Sequence, residues 1–277
     1  MSAPYLSVRN LSVTFPTKAG TFHAIDDISF DLARGEILAL VGESGSGKSM
    51  TSLSIMHLLP EAAEMSGRIE IDGRDISALG RREIEDVRGA KVGMIFQEPM
   101  TSLNPVLTIA RQMTEGPVRH NGVSRRDALA TARTCLEDVG IAEPDRVLAQ
   151  YPHQLSGGMR QRVMIAASLA LQPGILIADE PTTALDVTVQ SQVLDLLVDL
   201  KARLGSGILL ITHDIGVVAE TADRVAVMRG GRILEMGAVD NVLGVPQHDY
   251  TKALLASHLT VEKGLMQRGA QCERARQ

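Results

Sequence analysis

Hydrophobic and polar positions change rhythm several times along this 277-residue chain, and each change predicts an element. Leu6 to Phe15 and Ala24 to Leu32 alternate at period two around a turn region at Thr17 to Gly20, which predicts two antiparallel strands of a small sheet. From Glu36 the rhythm is different. Ile37-Leu38-Ala39-Leu40-Val41 is continuously apolar, ends in a Gly-rich loop and leads into a helical stretch reaching Leu59. A strand buried on both faces reads this way, so the run predicts a parallel strand feeding a helix. Runs of the same kind recur at Val92 to Phe96, Ile175 to Ala178 and Ile208 to Ile211, with helix-length segments at Val187 to Leu204 and Ile215 to Ala222. The alternation predicts an α/β fold with a parallel sheet covered on both faces and an N-terminal antiparallel β subdomain.

Between Pro99 and Ala170 no comparable strand run occurs. Ser124 with Asp127 makes a capping-box pattern ahead of apolar Leu129, Ala132, Leu136 and Val139, so residues 99–170 read as an α-helical lobe inserted into the sheet domain. Further on, Val225 to Met228 and Ile233 to Met236 flank Arg229-Gly230-Gly231-Arg232 as a hairpin would, and a helix comes next near Tyr250 to Leu259. The chain has no internal repeat, which predicts one domain over residues 1–259 and a short, polar, mobile tail over 260–277.

Composition narrows the function. With 44% hydrophobic and 22% charged residues the chain can bury a sizeable core, and its net charge of −5 is spread without a basic stripe, which argues against a nucleic-acid partner. Cys135 and Cys272 match no metal or disulfide spacing and read as free thiols of a reducing, cytoplasmic compartment. Met1 to Asn10 lacks an apolar run behind a basic segment, and the longest apolar stretches are strand-sized. Neither a signal peptide nor a spanning helix is expected, so the chain would serve a membrane by docking on another protein.

Chemistry concentrates after the apolar runs. Gly42-Glu43-Ser44-Gly45-Ser46-Gly47-Lys48-Ser49 fits the GxxxxGK[ST] phosphate loop, whose backbone N–H groups converge on phosphate oxygens at a helix N-terminus. Lys48 would hold the β and γ phosphates of ATP, and Ser49 would ligate Mg²⁺. The strand ending in Asp179-Glu180 delivers two acids to the mouth of the sheet. By itself the pair reads as a solvated turn; with a phosphate loop upstream, Asp179 suits the Mg²⁺ shell and Glu180 suits polarising the attacking water. Gln97 and His213 each come directly after a strand run. Gln97 reads either as a surface residue or as an amide near the phosphates, and His213 either as a structural histidine or as a donor to a terminal phosphate. Leu155-Ser156-Gly157-Gly158-Met159 opens a helix, and reads either as a second anion site with no evident ligand or as a capping glycine pair.

In this order the residues resemble the nucleotide-binding subunit of ABC transporters: Walker A at Gly42 to Ser49, Q-loop Gln97, the LSGGM variant at Leu155 to Met159, Walker B through Glu180 and H-loop His213. The resemblance covers Leu6 to Leu259 and implies a P-loop NTPase core. It implies catalytic roles for Glu180, His213 and Gln97, and a Mg²⁺ shell of Ser49, Gln97 and Asp179. It further implies that Ser156, Gly157, Gly158 and Met159 cap the ATP held by a second cassette. Phe15 would stack on adenine, with Phe22 as the neighbouring aromatic, and Ala184-Leu185-Asp186 looks like the D-loop between the sites.

Phe96 to Pro105, Gln172-Pro173-Gly174 and Gln247 to Leu255 look like the dipeptide, oligopeptide and nickel importer branch, in which Met159 replaces the more general Gln. The branch implies a second, related cassette, two transmembrane permease subunits contacted near Pro99 to Val106, and an extracytoplasmic solute-binding protein. The chain would sit peripherally on the cytoplasmic face of the inner membrane and energise import of peptides, with nickel as the alternative cargo. Many relatives carry a cysteine cluster beyond this point; Cys272 alone cannot build one, so no iron–sulfur centre is expected. A soluble ABC ATPase acting on DNA or ribosomes would resemble fused cassettes or coiled-coil insertions. A non-hydrolysing cassette would lack Lys48, Glu180 or His213, and all three are present.

Overall fold

The computed structural model describes residues 4–18, 20–97, 102–182 and 187–257. Its strands are β1 (Leu6–Thr17), β2 (Gly20–Leu32), β3 (Ile37–Val41), β4 (Glu64–Ile71), β5 (Arg74–Asp75), β6 (Val92–Ile95), β7 (Ile175–Asp179), β8 (Gly207–Thr212), β9 (Arg224–Arg229) and β10 (Arg232–Ala238). The helices begin with α1 (Lys48–Ile55) and α2 (Arg81–Val87). Between β6 and β7 come α3 (Ile109–Asn121), α4 (Arg125–Asp138), α5 (Pro144–Ala149) and α6 (Gly157–Leu169). The last four are α7 (Val187–Leu204), α8 (Ile215–Thr221), α9 (Val239–Gly244) and α10 over residues 249–257.

Two sheets form. The antiparallel one has the order β2-β1-β4-β5. In β1 the register shifts between Val8 and Leu11, and Asn10 adopts φ +49°. That irregularity resets the pleat, so Leu6 and Val8 before it and Leu11 and Val13 after it are all buried. The second sheet has the order β10-β9-β3-β8-β7-β6, and its five strands from β9 to β6 run parallel. Alternation along these strands divides the core: Leu38, Leu40, Ile177, Leu209 and Ile211 pack against the antiparallel sheet and α1. Ile37, Leu176, Ala178, Ile208 and Leu210 face the opposite way and pack with Leu136, Val163 and Leu197 of the helices. Burial on both faces is the reason these strands read as continuous apolar runs.

The expected hairpin is the β9–β10 pair, Arg232 opposite Arg229. β4 and β5 have no counterpart among the strands expected from the pattern. Of the eight residues of β4, Ile69 and Ile71 are the buried apolar ones, too few for a period to show. Ser124 caps α4 by accepting the Asp127 N–H and donating its hydroxyl to the Asp127 carboxylate. Cys135 is a free thiol, and burial pushes its pKa up to about 11. Among the described residues no helix is long and apolar enough to cross a membrane. Pro99 and its neighbours at 98–101, Ala184-Leu185-Asp186, Leu259, Cys272 and the tail lie outside the described residues.

Candidate functional site

Because β3, β6, β7 and β8 run parallel, their carboxyl ends share one edge of the sheet, and the residues just past each strand are gathered there. β3 opens into the loop from Gly42 to Ser49. Gly42 sits at φ +154°, and a Cβ on it would stand 2.1 Å from the Met228 carbonyl oxygen of β9. Gly47 precedes α1 without any side-chain cap, leaving the first N–H groups of that helix free for an anion. Lys48 folds back over the loop, its ammonium donating to the Gly42 and Glu43 carbonyls at 2.7 and 2.9 Å and reaching Ser46 Oγ at 3.5 Å. Burial lowers the Lys48 pKa, while the Glu180 and Asp179 charges oppose that shift.

Asp179 ends β7 directly behind this loop. The Ser49 hydroxyl donates to its Oδ1 at 3.3 Å, and the Ser52 hydroxyl to its Oδ2 at 3.2 Å. Burial raises the Asp179 pKa against those two hydrogen bonds, and Glu180 adds to the rise. Next along, Glu180 turns out of the sheet at φ +47°, its N–H donating to the Ile211 carbonyl of β8. Gln97, just past β6, donates its amide to Glu180 Oε2 at 2.9 Å, and His213 Nδ1, just past β8, lies 3.3 Å from Oε1. Three residues from three strand ends thus meet at one carboxylate. The cleft in front of them, about 280 Å³, is bordered by Phe22, Ser44, Lys48, Ser49, Gln97 and Glu180.

Phe15 and Phe22 are cross-strand partners on the β1–β2 ladder. Phe22 is 57% exposed and borders the cleft, whereas Phe15 packs partly buried against the core. Ser156, Gly157, Gly158 and Met159 are not part of that cleft. Ser156 caps α6 by accepting the Met159 N–H at 3.3 Å, and the segment borders a separate cavity of about 680 Å³ with Glu143, Arg146 and Gln154. An added Cβ at Gly157 or Gly158 would meet nothing within 4 Å.

Two contributors escape a reading of the sequence. Ser52 stands one turn beyond Ser49 on α1, a spacing that could have found it. Gln161 of α6 is buried and donates its amide to the Pro181 carbonyl next to Glu180, a contact made across folded elements with no local signal.

The family described as ABC transporter matches residues 25–183. The chain is 55% identical over 256 residues to a peptidoglycan transport ATP-binding protein, YejF, of Agrobacterium fabrum, covering 92% of this chain and 47% of that one. It is 51% identical over 259 residues to the oligopeptide transport ATP-binding protein OppD of Bacillus subtilis, covering 93% of this chain and 72% of that one. The chain therefore spans about half the length of the first relative and under three quarters of the second. Among solved structures, the dimeric ATP-binding cassette MJ0796, in a post-hydrolysis state bound to ADP and Pi, superposes with a TM-score of 0.77 at 28% identity. The match covers 84% of this chain and 98% of that one. With a P-loop core, five parallel strands and a family match across more than half its length, this chain belongs to the ABC transporter family as an ATP-binding cassette.

Proposed function

We propose that this cassette hydrolyses ATP to drive import of di- or oligopeptides through a membrane transporter. It would work as a peripheral subunit on the cytoplasmic face, with two permease subunits, a solute-binding protein and a second, related cassette. The observation that carries the catalytic part is the convergence of Gln97 and His213 on Glu180, beside the loop that holds Lys48. Relatives named for oligopeptide and peptidoglycan transport favour a peptide cargo over nickel.

In this reading the uncapped start of α1, from Gly47 to Ser49, receives the phosphates, and Lys48 offsets charge on the terminal one. Phe22, with Phe15 behind it, offers adenine an aromatic wall. Magnesium usually takes one or two carboxylates and leaves its other positions to water and substrate phosphates. The facing Ser49 hydroxyl and Asp179 carboxylate, with Gln97 across the cleft, fit that habit. The ion would neutralise phosphate charge. Glu180 orients water for in-line attack on the γ-phosphate, while Gln97 and His213 fix its two oxygens. Ser156 to Met159 lie outside this chain's own cleft, which supports their service as the lid on a partner cassette's nucleotide.

Glu180→Gln keeps the side-chain shape and removes the base. ATP binding should persist, while turnover in the assembled transporter falls about 10²- to 10⁴-fold. Parental turnover by that variant would remove Glu180 from the mechanism.

A further inference from the structure

Far from the phosphate loop in sequence, the segment Gln247 to Leu255 nonetheless touches it. We propose that Tyr250 is a positioning residue for ATP binding: α10 braces Glu43 through the Tyr250 hydroxyl and thereby sets the direction of Lys48. This rests on the reading of Gly42 to Ser49 as the nucleotide loop.

The brace is anchored at its far end. Glu235 of β10 accepts the Gln247 and His248 N–H groups at 2.8 and 3.1 Å, and His248 Nδ1 accepts the Tyr250 N–H at 3.0 Å. These bonds leave the start of α10 little freedom. The Tyr250 ring is buried in the cluster that contains Val41, the residue just before Gly42, and the Arg229 guanidinium lies 4.6 Å over its face. At the tip of the ring, the Glu43 N–H donates to the phenol oxygen at 3.4 Å, and the Glu43 carboxylate is in hydrogen-bonding reach of the hydroxyl.

The other side of Glu43 faces the active cleft. Its carbonyl accepts from the Lys48 ammonium at 2.9 Å and from the Ser46 N–H at 3.2 Å. One residue is therefore gripped from behind by Tyr250 and from the front by the lysine that meets the phosphates. Burial keeps the phenol above its usual value, so the hydroxyl holds its proton at neutral pH. A purely packing role would use the ring and have no need of the hydroxyl, and the two can be separated.

In the full chain, Tyr250→Phe keeps the ring under Arg229 and deletes the hydroxyl. Titrated with a mant-labelled ATP and Mg²⁺, this variant should bind roughly three- to tenfold more weakly, the effect of one long hydrogen bond. Its thermal midpoint should stay within about 2 °C of the parent. In hydrolysis the loss should fall on KM, with kcat retained. Lys252→Ala, which loses only a surface pair with Asp249, should change none of these. Parental affinity in Tyr250→Phe, or a loss that merely tracks a fallen midpoint, overturns the proposal. Lys48→Ala run alongside separates the two failures: if it binds as tightly as the parent, the nucleotide-loop reading itself is wrong.

Discussion

Glu180 holds a backbone conformation that folding alone does not favour: a bulky non-glycine residue at φ +47° costs on the order of 1 kcal/mol or more. The surroundings hold it there, with Ile211 accepting its N–H and Gln161 donating to the carbonyl of the next residue, Pro181. Gln161→Met keeps the volume but leaves that buried carbonyl unpaired, at about 1–3 kcal/mol. We expect kcat to fall with KM for ATP nearly unchanged, because the Gln161 amide acts on Pro181, beside Glu180, rather than on the phosphate loop; a raised KM at parental kcat would contradict this. Asp179 shows the opposite tension between stability and function. Folding raises its pKa, so the ionised carboxylate costs stability in full above the folded pKa, and the cost fades as pH falls through it toward the unfolded value. Lys48, shifted down, has the other sign: stability rises with pH between its folded and unfolded pKa values. Asp179→Asn should therefore raise the thermal midpoint of the nucleotide-free protein near neutral pH while abolishing Mg²⁺-dependent hydrolysis. Thermal melts without nucleotide check the first half, and a lowered midpoint would show the charge to be stabilising after all.

At the scale of elements, the strand–loop–helix unit of β3 and α1 depends on how tightly the loop lies against β9. A Cβ at Gly42 would sit 2.1 Å from a backbone oxygen that cannot swing away, so Gly42→Ala should destabilise by more than about 3 kcal/mol in urea melts. An ordinary surface-level loss would mean the loop can lift off β9. This unit is legible in the sequence because its cues are local: five apolar residues in a row, then the spaced glycines and lysine. β7 and β8 are legible for the same reason, and with them the strand-end positions of Asp179, Glu180 and His213. The part that cannot be read is lateral. Nothing in Gln97, Glu180 and His213 as separate residues says that β6, β7 and β8 lie side by side, and that adjacency is what joins them. β4 is hidden because half of its residues are exposed and only Ile69 and Ile71 are buried. Between Phe15 and Phe22 spacing cannot choose, since they are cross-strand partners; the cleft borders Phe22. Tyr250 is visible only as part of a likeness, because its partner Glu43 lies 207 residues away.

On the scale of the whole molecule, the two glycine-bearing loops make different demands. Gly42 is required by the chain's own packing, whereas at Gly158 the backbone is unstrained and an added Cβ meets nothing. Within this chain alanine at that position should be harmless, and its helix propensity could add up to about 1 kcal/mol. A glycine with no internal reason leaves room for something outside the chain to approach the start of α6, as the shared-site reading requires. Gly158→Ala should thus leave the thermal midpoint equal or higher and nucleotide binding at the phosphate loop unchanged, yet lower hydrolysis by the paired cassettes at least about tenfold, as loss of a close transition-state contact does. If a second cassette completes each cleft, as the shared-site reading holds, the rate per cassette should also climb with the concentration of that second cassette. Dilution series of the two proteins decide the matter together. A parental rate in Gly158→Ala, with turnover per cassette independent of concentration, would mean that one chain's Lys48, Asp179 and Glu180 are a sufficient engine and that the loop at Ser156 to Met159 serves some other contact.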